Sequence, residues 1–319
     1  MRIPRARLLA VTIAGSVALA GCTTSTPPDP SPSAAAPTTL DELATALVDD
    51  GVVRSASLTI REASAVEPET LSILVQGLEE STPEEMVAML AEVQEGIDGV
   101  LDDRPARTQI QLSTLRADER YASVDMQLDL GRDVLLELLV IATGTACADV
   151  ATSTVEEFAY VDGDDELAGV SANVATLRCA VEADDAVALA ATYDEITAIA
   201  PTSSVIARTR WRIEPLAVAP GSPQGDAAEL RLDAGPIDGR QQLLVDLMTL
   251  AEDAGAEQAY VEDFGDRVDV GGRLPLDQAP VCDVLLERLR AVPDLDIRTV
   301  AFDDSAVPDE YFDVCFLQE

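Results

Sequence analysis

The chain has 319 residues, with 21 basic side chains, 59 acidic side chains and no histidine, and its formal net charge at pH 7 is −38. This charge argues against nucleic acid and anionic lipid headgroups as partners, because both require clustered positive charge. All the basic residues are arginines, which excludes a lysine Schiff base, a histidine general base and histidine-containing metal sites. Apolar residues make up 47% of the chain, enough to build folded cores.

The first residues have the pattern of a secretory signal. Arg2, Arg5 and Arg7 precede an apolar run at residues 8–22, which is shorter than the roughly 20 residues of a spanning helix. The run ends in Leu-Ala-Gly-Cys at residues 19–22, which resembles the lipobox of bacterial lipoproteins. The resemblance implies that residues 1–21 are a signal peptide and that Cys22 is acylated, anchoring the chain to the outer face of the cell membrane. An ordinary secreted protein cleaved nearby is the alternative.

Residues 22–39 are rich in Thr, Ser, Pro and Ala. This composition predicts a disordered, extended tether, and at about 3 Å per residue it spans roughly 50 Å. Its expected role is that of a spacer between the lipid and the folded part.

The folded part is predicted to begin with a unit over residues 40–117. Thr39 and Thr82 each precede a glutamate by three residues, which indicates two capped helix starts. Alternating apolar residues predict strands at 52–60, 70–76 and 108–115. The second helix is expected to bury one face, formed by Met86, Leu90, Val93, Ile97 and Leu101.

Two further units are predicted, over residues 118–218 and 226–319, separated by a Pro/Gly/Ser-rich break at 219–225. The second unit has strands at 121–129, 152–161, 170–181 and 205–213, with helices at 134–146 and 184–198. The third has strands at 228–232, 257–262, 267–274 and 295–302, with helices at 241–254 and 277–290. The resulting βαββαβ order predicts an α+β fold of two or three ferredoxin-like sandwiches in tandem.

The third unit also resembles the BON domains of bacterial envelopes. Gly265, the sequence DRVDVGGRL at residues 266–274, the following helix and the closing strand carry the resemblance over about 65 residues. It implies an envelope module that binds a membrane or a partner, and it transfers no catalytic residues.

Four cysteines follow Cys22, namely Cys147, Cys179, Cys282 and Cys315. In an oxidising compartment they predict two disulfides with three possible connectivities. We favour Cys147–Cys179 and Cys282–Cys315, because each pair falls within one predicted unit. Metal binding by the four cysteines is the alternative, although no CxxC pair is present.

An acidic turn and an arginine-rich strand are the candidate binding sites. Asp162, Asp164, Asp165 and Glu166 could bind Ca²⁺ through carboxylate oxygens, although their spacing departs from an EF-hand and solvated acidic turns are common. Arg208, Arg210 and Arg212 alternate along a strand, so they share one face while Trp211 lies on the other. Three arginines on one face could bind an anion or an acidic partner. Alternatively they pair with acids on neighbouring strands or with Glu214.

No catalytic motif is complete. The sequence around Ser171 approaches a nucleophile elbow, but the chain has no histidine to activate it. We therefore expect a non-enzymatic interaction or scaffold role at the cell envelope, with an envelope protein as partner and without a cofactor. The alternative is a ligand-binding lipoprotein that captures Ca²⁺ or a small anion.

Overall fold

The computed structural model describes residues 36–64, 68–105, 107–116, 120–126, 130–160, 167–183, 185–215, 229–232, 240–305 and 313–319. Residues 37–319 form one compact unit. Its helices are α1 (Leu40–Asp49), α2 (Pro83–Val100), α3 (Arg132–Gly144), α4 (Ala186–Ala191), α5 (Tyr193–Thr197), α6 (Gln241–Asp253) and α7 (Pro280–Arg290), with a short 3₁₀ helix at Leu276–Gln278. None of the described helices is long and apolar enough to cross a membrane.

Along the chain, pairs of strands alternate with these helices. They are β1 (Ser55–Arg61), β2 (Thr70–Gln76), β3 (Arg107–Leu115), β4 (Tyr121–Met126), β5 (Asp149–Tyr160), β6 (Leu167–Val181), β7 (Arg208–Pro215), β8 (Glu229–Leu232), β9 (Glu257–Asp263), β10 (Arg267–Leu274), β11 (Ile297–Asp304) and β12 (Asp313–Gln318).

All twelve strands lie in one sheet, in the order in which they occur in the chain. Each odd-numbered strand pairs antiparallel with the strand that follows it. Each even-numbered strand up to β10 then pairs in parallel with the next strand, after one or two helices. The sheet is therefore a succession of strand–strand–helix repeats.

The mixed helix and strand content agrees with the predicted α+β class, but the tandem ferredoxin-like units are not confirmed. A split βαβ unit places another strand between its two parallel strands, whereas here the parallel strands are direct neighbours. The predicted boundary after residue 117 falls between β3 and β4, which pair with each other. The break at 219–225 lies outside the described residues.

Local signals account for the helix starts. The Thr39 side chain accepts a hydrogen bond from the Glu42 amide at 3.2 Å, and the Glu42 carboxylate accepts from the amide and hydroxyl of Thr38, each at 2.8 Å. At α2 the reciprocal capping box between Thr82 and Glu85 is complete. Because each cap satisfies amides that a helix start leaves unpaired, the two helices begin where the sequence predicts.

The hydrophobic core lies on one face of the sheet. Every α-helix contributes buried side chains to the same core as alternate residues of the strands. The strand residues that share this face include Ile73, Ile110, Val124, Val150, Leu177, Trp211, Leu230, Val261, Val270 and Val300. Trp211 is 3% exposed, and its indole nitrogen donates to the carbonyl oxygen of Ile199 at 2.8 Å. We call this the helical face and the opposite one the open face.

Both predicted disulfides are confirmed, Cys147–Cys179 and Cys282–Cys315. The first joins the segment after α3 to β6, and the second joins α7 to β12. With sequence separations of 32 and 33 residues, each contributes about 3–4 kcal/mol in the chain-entropy model.

Several local expectations need correction, among them the strands predicted to begin at residues 152 and 170, which begin at Asp149 and Leu167. The helix predicted at 184–198 is two short helices, α4 and α5, and its N-cap is Asp185, which accepts from the Ala188 amide at 2.7 Å. The strands predicted to begin at residues 52 and 205 begin at Ser55 and Arg208. The C-terminal tail forms an edge strand, β12, which the sequence pattern did not indicate.

Candidate partner-binding face

A continuous row of polar residues crosses the open face. Each member is the direct register partner of the next, so the row includes one residue from every strand. From β1 to β12 the members are Ser55, Gln76, Ser113, Ser123, Asp149, Arg178, Arg212, Arg231, Glu262, Asp269, Thr299 and Gln318. We call it the polar row; its members on β1 to β4, β11 and β12 are uncharged, and its six members on β5 to β10 are all charged.

Three arginines form the centre of the polar row. Arg178 on β6 lies opposite Arg212 on β7, which lies opposite Arg231 on β8. Neighbouring strands are about 4.7–4.9 Å apart, so three cationic side chains stand in line on adjacent strands. Arg208 and Arg210 occupy the same face of β7, which brings five arginines onto three strands of a strongly acidic chain.

The two outer arginines are held in place by neighbouring side chains. Arg178 donates two hydrogen bonds to Glu214, Nε to Oε1 at 2.7 Å and Nη2 to Oε2 at 3.1 Å. Arg231 donates to Glu262 at 2.5 Å, and its guanidinium carbon lies 5.0 Å from the ring centroid of Tyr260. Bidentate pairing and a cation–π contact fix the direction of a guanidinium group. Arg212, between them, is exposed.

The contact between Tyr260 and β10 depends on a glycine. A Cβ atom at Gly271 would lie 2.5 Å from both the Tyr260 ring and its hydroxyl, and equally close to the Ala301 carbonyl oxygen. Without that Cβ, the tyrosine side chain can pack directly on the backbone of β10. Burial raises the pKa of Tyr260, and the nearby charge of Glu262 raises it further. The hydroxyl therefore stays protonated at neutral pH.

Beyond the arginines, the polar row continues into buried polar groups. Asp269 is 5% exposed and Thr299 is 7% exposed. One Asp269 oxygen pairs with Arg267, whereas Oδ1 of Asp269 and Oγ1 of Thr299 receive no hydrogen bond from the described residues. Asp125, on the same face of β4, has its pKa raised by burial. On β4, β10 and β11 the open face therefore contains polar side chains that are partly or almost fully buried.

The sequence-predicted arginines lie as expected relative to Trp211, on the opposite side of β7. Arg208, Arg210 and Arg212 each have an interaction partner, and Glu214, the local candidate, pairs with Arg178. Their binding of an anion or partner stays a prediction. Sequence reasoning missed Arg178 and Arg231, because only the register between strands brings them beside Arg212.

The candidate calcium ligands and the lipidation residue lie outside the described part of the chain. They are the acidic turn of Asp162, Asp164, Asp165 and Glu166, and the lipidation residue Cys22. Within the described ranges, no group of three or more histidine, cysteine, aspartate or glutamate side chains could hold a metal ion.

A buried ion pair lies on the helical face. Arg240 precedes α6 and donates to Asp263 at 2.8 Å, and the two side chains are 9% and 1% exposed. Burial raises the pKa of Asp263, while hydrogen bonds from the Gly265 amide and from Arg240 oppose that rise. Since neither side chain is accessible, this pair is structural and joins the start of α6 to the end of β9.

Comparison with known proteins adds no relative. No family model, no curated protein and no solved structure matches this chain. The functional argument therefore depends on the open face itself, where β6, β7 and β8 bring five arginines together.

Proposed function

We propose that this protein is a lipid-anchored envelope protein with a non-enzymatic interaction role, and that the open face of its sheet binds an acidic partner protein. The lipobox-like residues 19–22 and the following tether support the anchored location. The two disulfides support an oxidising compartment, because disulfides persist outside the cytoplasm.

The observation that carries the proposal is the line of Arg178, Arg212 and Arg231. Like charges placed directly opposite on neighbouring strands repel each other, and Glu214 and Glu262 offset that repulsion at the two outer arginines. Uncharged residues occupy the same row on β1 to β4, so strands of this sheet can carry an uncharged side chain at this register position. A role in binding accounts for three cations at these positions.

The accessibility of the arginines agrees with this role. The side chains of Arg178 and Arg231 are 35% and 40% exposed, and Arg212 is exposed. Because Glu214 and Glu262 hold the outer two, less side-chain entropy is lost when a partner binds. Capture of a small carboxylate or phosphate by the same arginines is the second candidate, since guanidinium groups bind both.

In-cell cross-linking followed by mass spectrometry tests the proposal. We expect the anchored protein to cross-link to an acidic envelope protein, and expect Arg208→Gln/Arg210→Gln/Arg212→Gln to remove that partner. Cys22→Ala, which removes the anchor, should reduce the cross-link as well. If the triple variant still cross-links to the partner, the proposal is contradicted.

A matched control distinguishes loss of the binding site from a change in the net charge of the protein. Arg54→Gln/Arg104→Gln/Arg288→Gln removes the same number of arginines from positions outside the open face, so it should retain the partner. Circular dichroism of both variants checks that each remains folded. A low-molecular-mass ligand released from the purified protein, without a protein cross-link, would instead favour the second candidate.

A further inference from the structure

We infer that the partner's recognition element is an α-helix that presents three acidic side chains in line, bounded on each side by a basic residue. The inference rests on the proposed function and specifies the chemistry of the partner. It follows from the order of charges along the polar row, which from β5 to β10 reads acidic at Asp149, basic at three arginines, then acidic at Glu262 and Asp269.

The acids on each side limit the length of the anionic segment. The Asp149 side chain is 48% exposed and that of Glu262 is 20% exposed, so a fourth carboxylate in line would meet a carboxylate at either end. Basic residues at those two positions would form ion pairs instead. The face therefore discriminates against long polyanions and favours a short acidic run within a defined charge order.

The spacing of the arginines favours a helix over a strand as the complementary element. Arginines in the polar row are separated by the distance between strands, about 4.7–4.9 Å. Residues one turn apart on a helix surface are about 5–6 Å apart, whereas alternate residues of a strand are about 6.6–6.8 Å apart. A helix crossing the strands can thus place one acid near each arginine, and the long side chains absorb the small mismatch.

Two helical peptides of identical composition test this order directly. Both are alanine-rich, about 22 residues long, with five charged residues one turn apart on one face. The ordered peptide has Lys, Glu, Glu, Glu, Lys, and the permuted peptide has Glu, Lys, Glu, Lys, Glu, so their net charges are equal. Their affinities for the purified lipidated protein in detergent are measured by fluorescence anisotropy.

We expect the ordered peptide to bind about tenfold more tightly or better, because several exposed ion pairs replace repulsive contacts. Arg212→Glu should abolish the preference, and Arg288→Glu, on the outer surface of α7, should leave it unchanged. Circular dichroism establishes that both variants fold.

Equal binding of the two peptides, binding of neither, or a preference that survives Arg212→Glu would overturn the inferred charge order. The proposed function would still be judged separately, by loss of the in-cell cross-link in the triple glutamine variant. Failure of the helix inference and failure of the interaction role are therefore distinguishable.

Discussion

The two faces of the sheet differ most clearly on β6 and β7. On β6, Leu177 is fully buried against the helices, and the next residue, Arg178, lies on the open face. On β7, Trp211 and Arg212 repeat this arrangement. Neighbouring residues of one strand thus have different roles. Side chains on the helical face fill the core, and side chains on the open face place charges in a particular order.

Charge is also used differently on the two faces. On the helical face Arg240 and Asp263 form an isolated pair with almost no access to water. On the open face the ion pairs of Arg178 and Arg231 remain partly exposed, where ion pairs contribute little to stability. Substitutions on the helical face should therefore change the free energy of unfolding, and those at the partly exposed arginines of the open face should change binding.

The largest expected effect is at the buried pair. Arg240→Met leaves the Asp263 carboxylate buried without its cation, so we expect a loss of about 3–5 kcal/mol in the free energy of unfolding at pH 7. Arg240→Met/Asp263→Leu should recover most of that loss. Denaturant unfolding measures both, and a double variant as unstable as the single one would contradict this assignment.

The pH dependence of the single variant follows from the raised pKa of Asp263. A carboxyl group with a pKa raised by folding favours the folded state at pH values below its unfolded pKa. That contribution disappears as the pH rises through the folded pKa. The loss caused by Arg240→Met should therefore be smaller at pH 5 than at pH 8.

A pair of adjacent substitutions compares the two faces on a single strand. Leu177→Ala removes a fully buried side chain and should cost about 2–5 kcal/mol. Thr176→Ala, one residue earlier and on the open face, should cost less than about 1 kcal/mol. Thermal or chemical unfolding of the two variants measures the difference in stability. Similar losses of stability in the two variants would contradict the assignment of the two faces.

A smaller effect is expected at Glu137 in α3, where a carboxylate holds the segment that precedes β7. It accepts hydrogen bonds from the amide and hydroxyl of Thr202, each at 2.5 Å, and from the Ser203 amide at 3.1 Å. Burial alone would raise the pKa of Glu137, but these hydrogen bonds outweigh it and lower the pKa. Glu137→Gln should cost about 1–2 kcal/mol at pH 7.

The sign of the Glu137 contribution predicts its pH profile. Because the folded pKa is lowered, the stabilisation is complete above the ordinary value of 4.5 and is lost as the pH falls through the folded pKa. Wild type and Glu137→Gln should therefore converge in stability at low pH. A difference that persists there would contradict the role of the ionised carboxylate.

The smallest change in stability is expected at the centre of the polar row. Arg212→Gln removes the middle one of three adjacent cations, so the free energy of unfolding should stay within about 0.5 kcal/mol or rise slightly. Chemical unfolding provides the measurement. A loss above about 1 kcal/mol would show that the arginines stabilise the sheet through ion pairs, as the alternative interpretation of the sequence holds.

The sequence predicts features that depend on local patterns. Alternation of apolar residues defines β2 and β10 at their observed limits, and the capping residues Thr39 and Thr82 mark two helix starts. These signals are contained within a few residues. The pairing of Cys282 with Cys315 was also predictable, because both cysteines belong to one predicted unit.

Strand order and register could not be predicted, because they depend on contacts between distant segments. The βαββαβ pattern fits both separate sandwiches and one continuous sheet of strand–strand–helix repeats. Arg178 and Arg231 are single arginines among mostly apolar neighbours, and nothing in the local sequence places them beside Arg212. Three of the five arginines were predictable from β7 alone, and the other two required the fold.

Site-specific photo-cross-linking in cells tests the central claim, that the open face is the partner-binding surface. Ala151 is exposed on the open face opposite Thr176, and Val140, 50% exposed on α3, is the matched position on the helical side. With a photoreactive residue at each position in turn, we expect a protein cross-link from Ala151 and none from Val140. A cross-link from Val140 alone, or from neither position, would contradict the account.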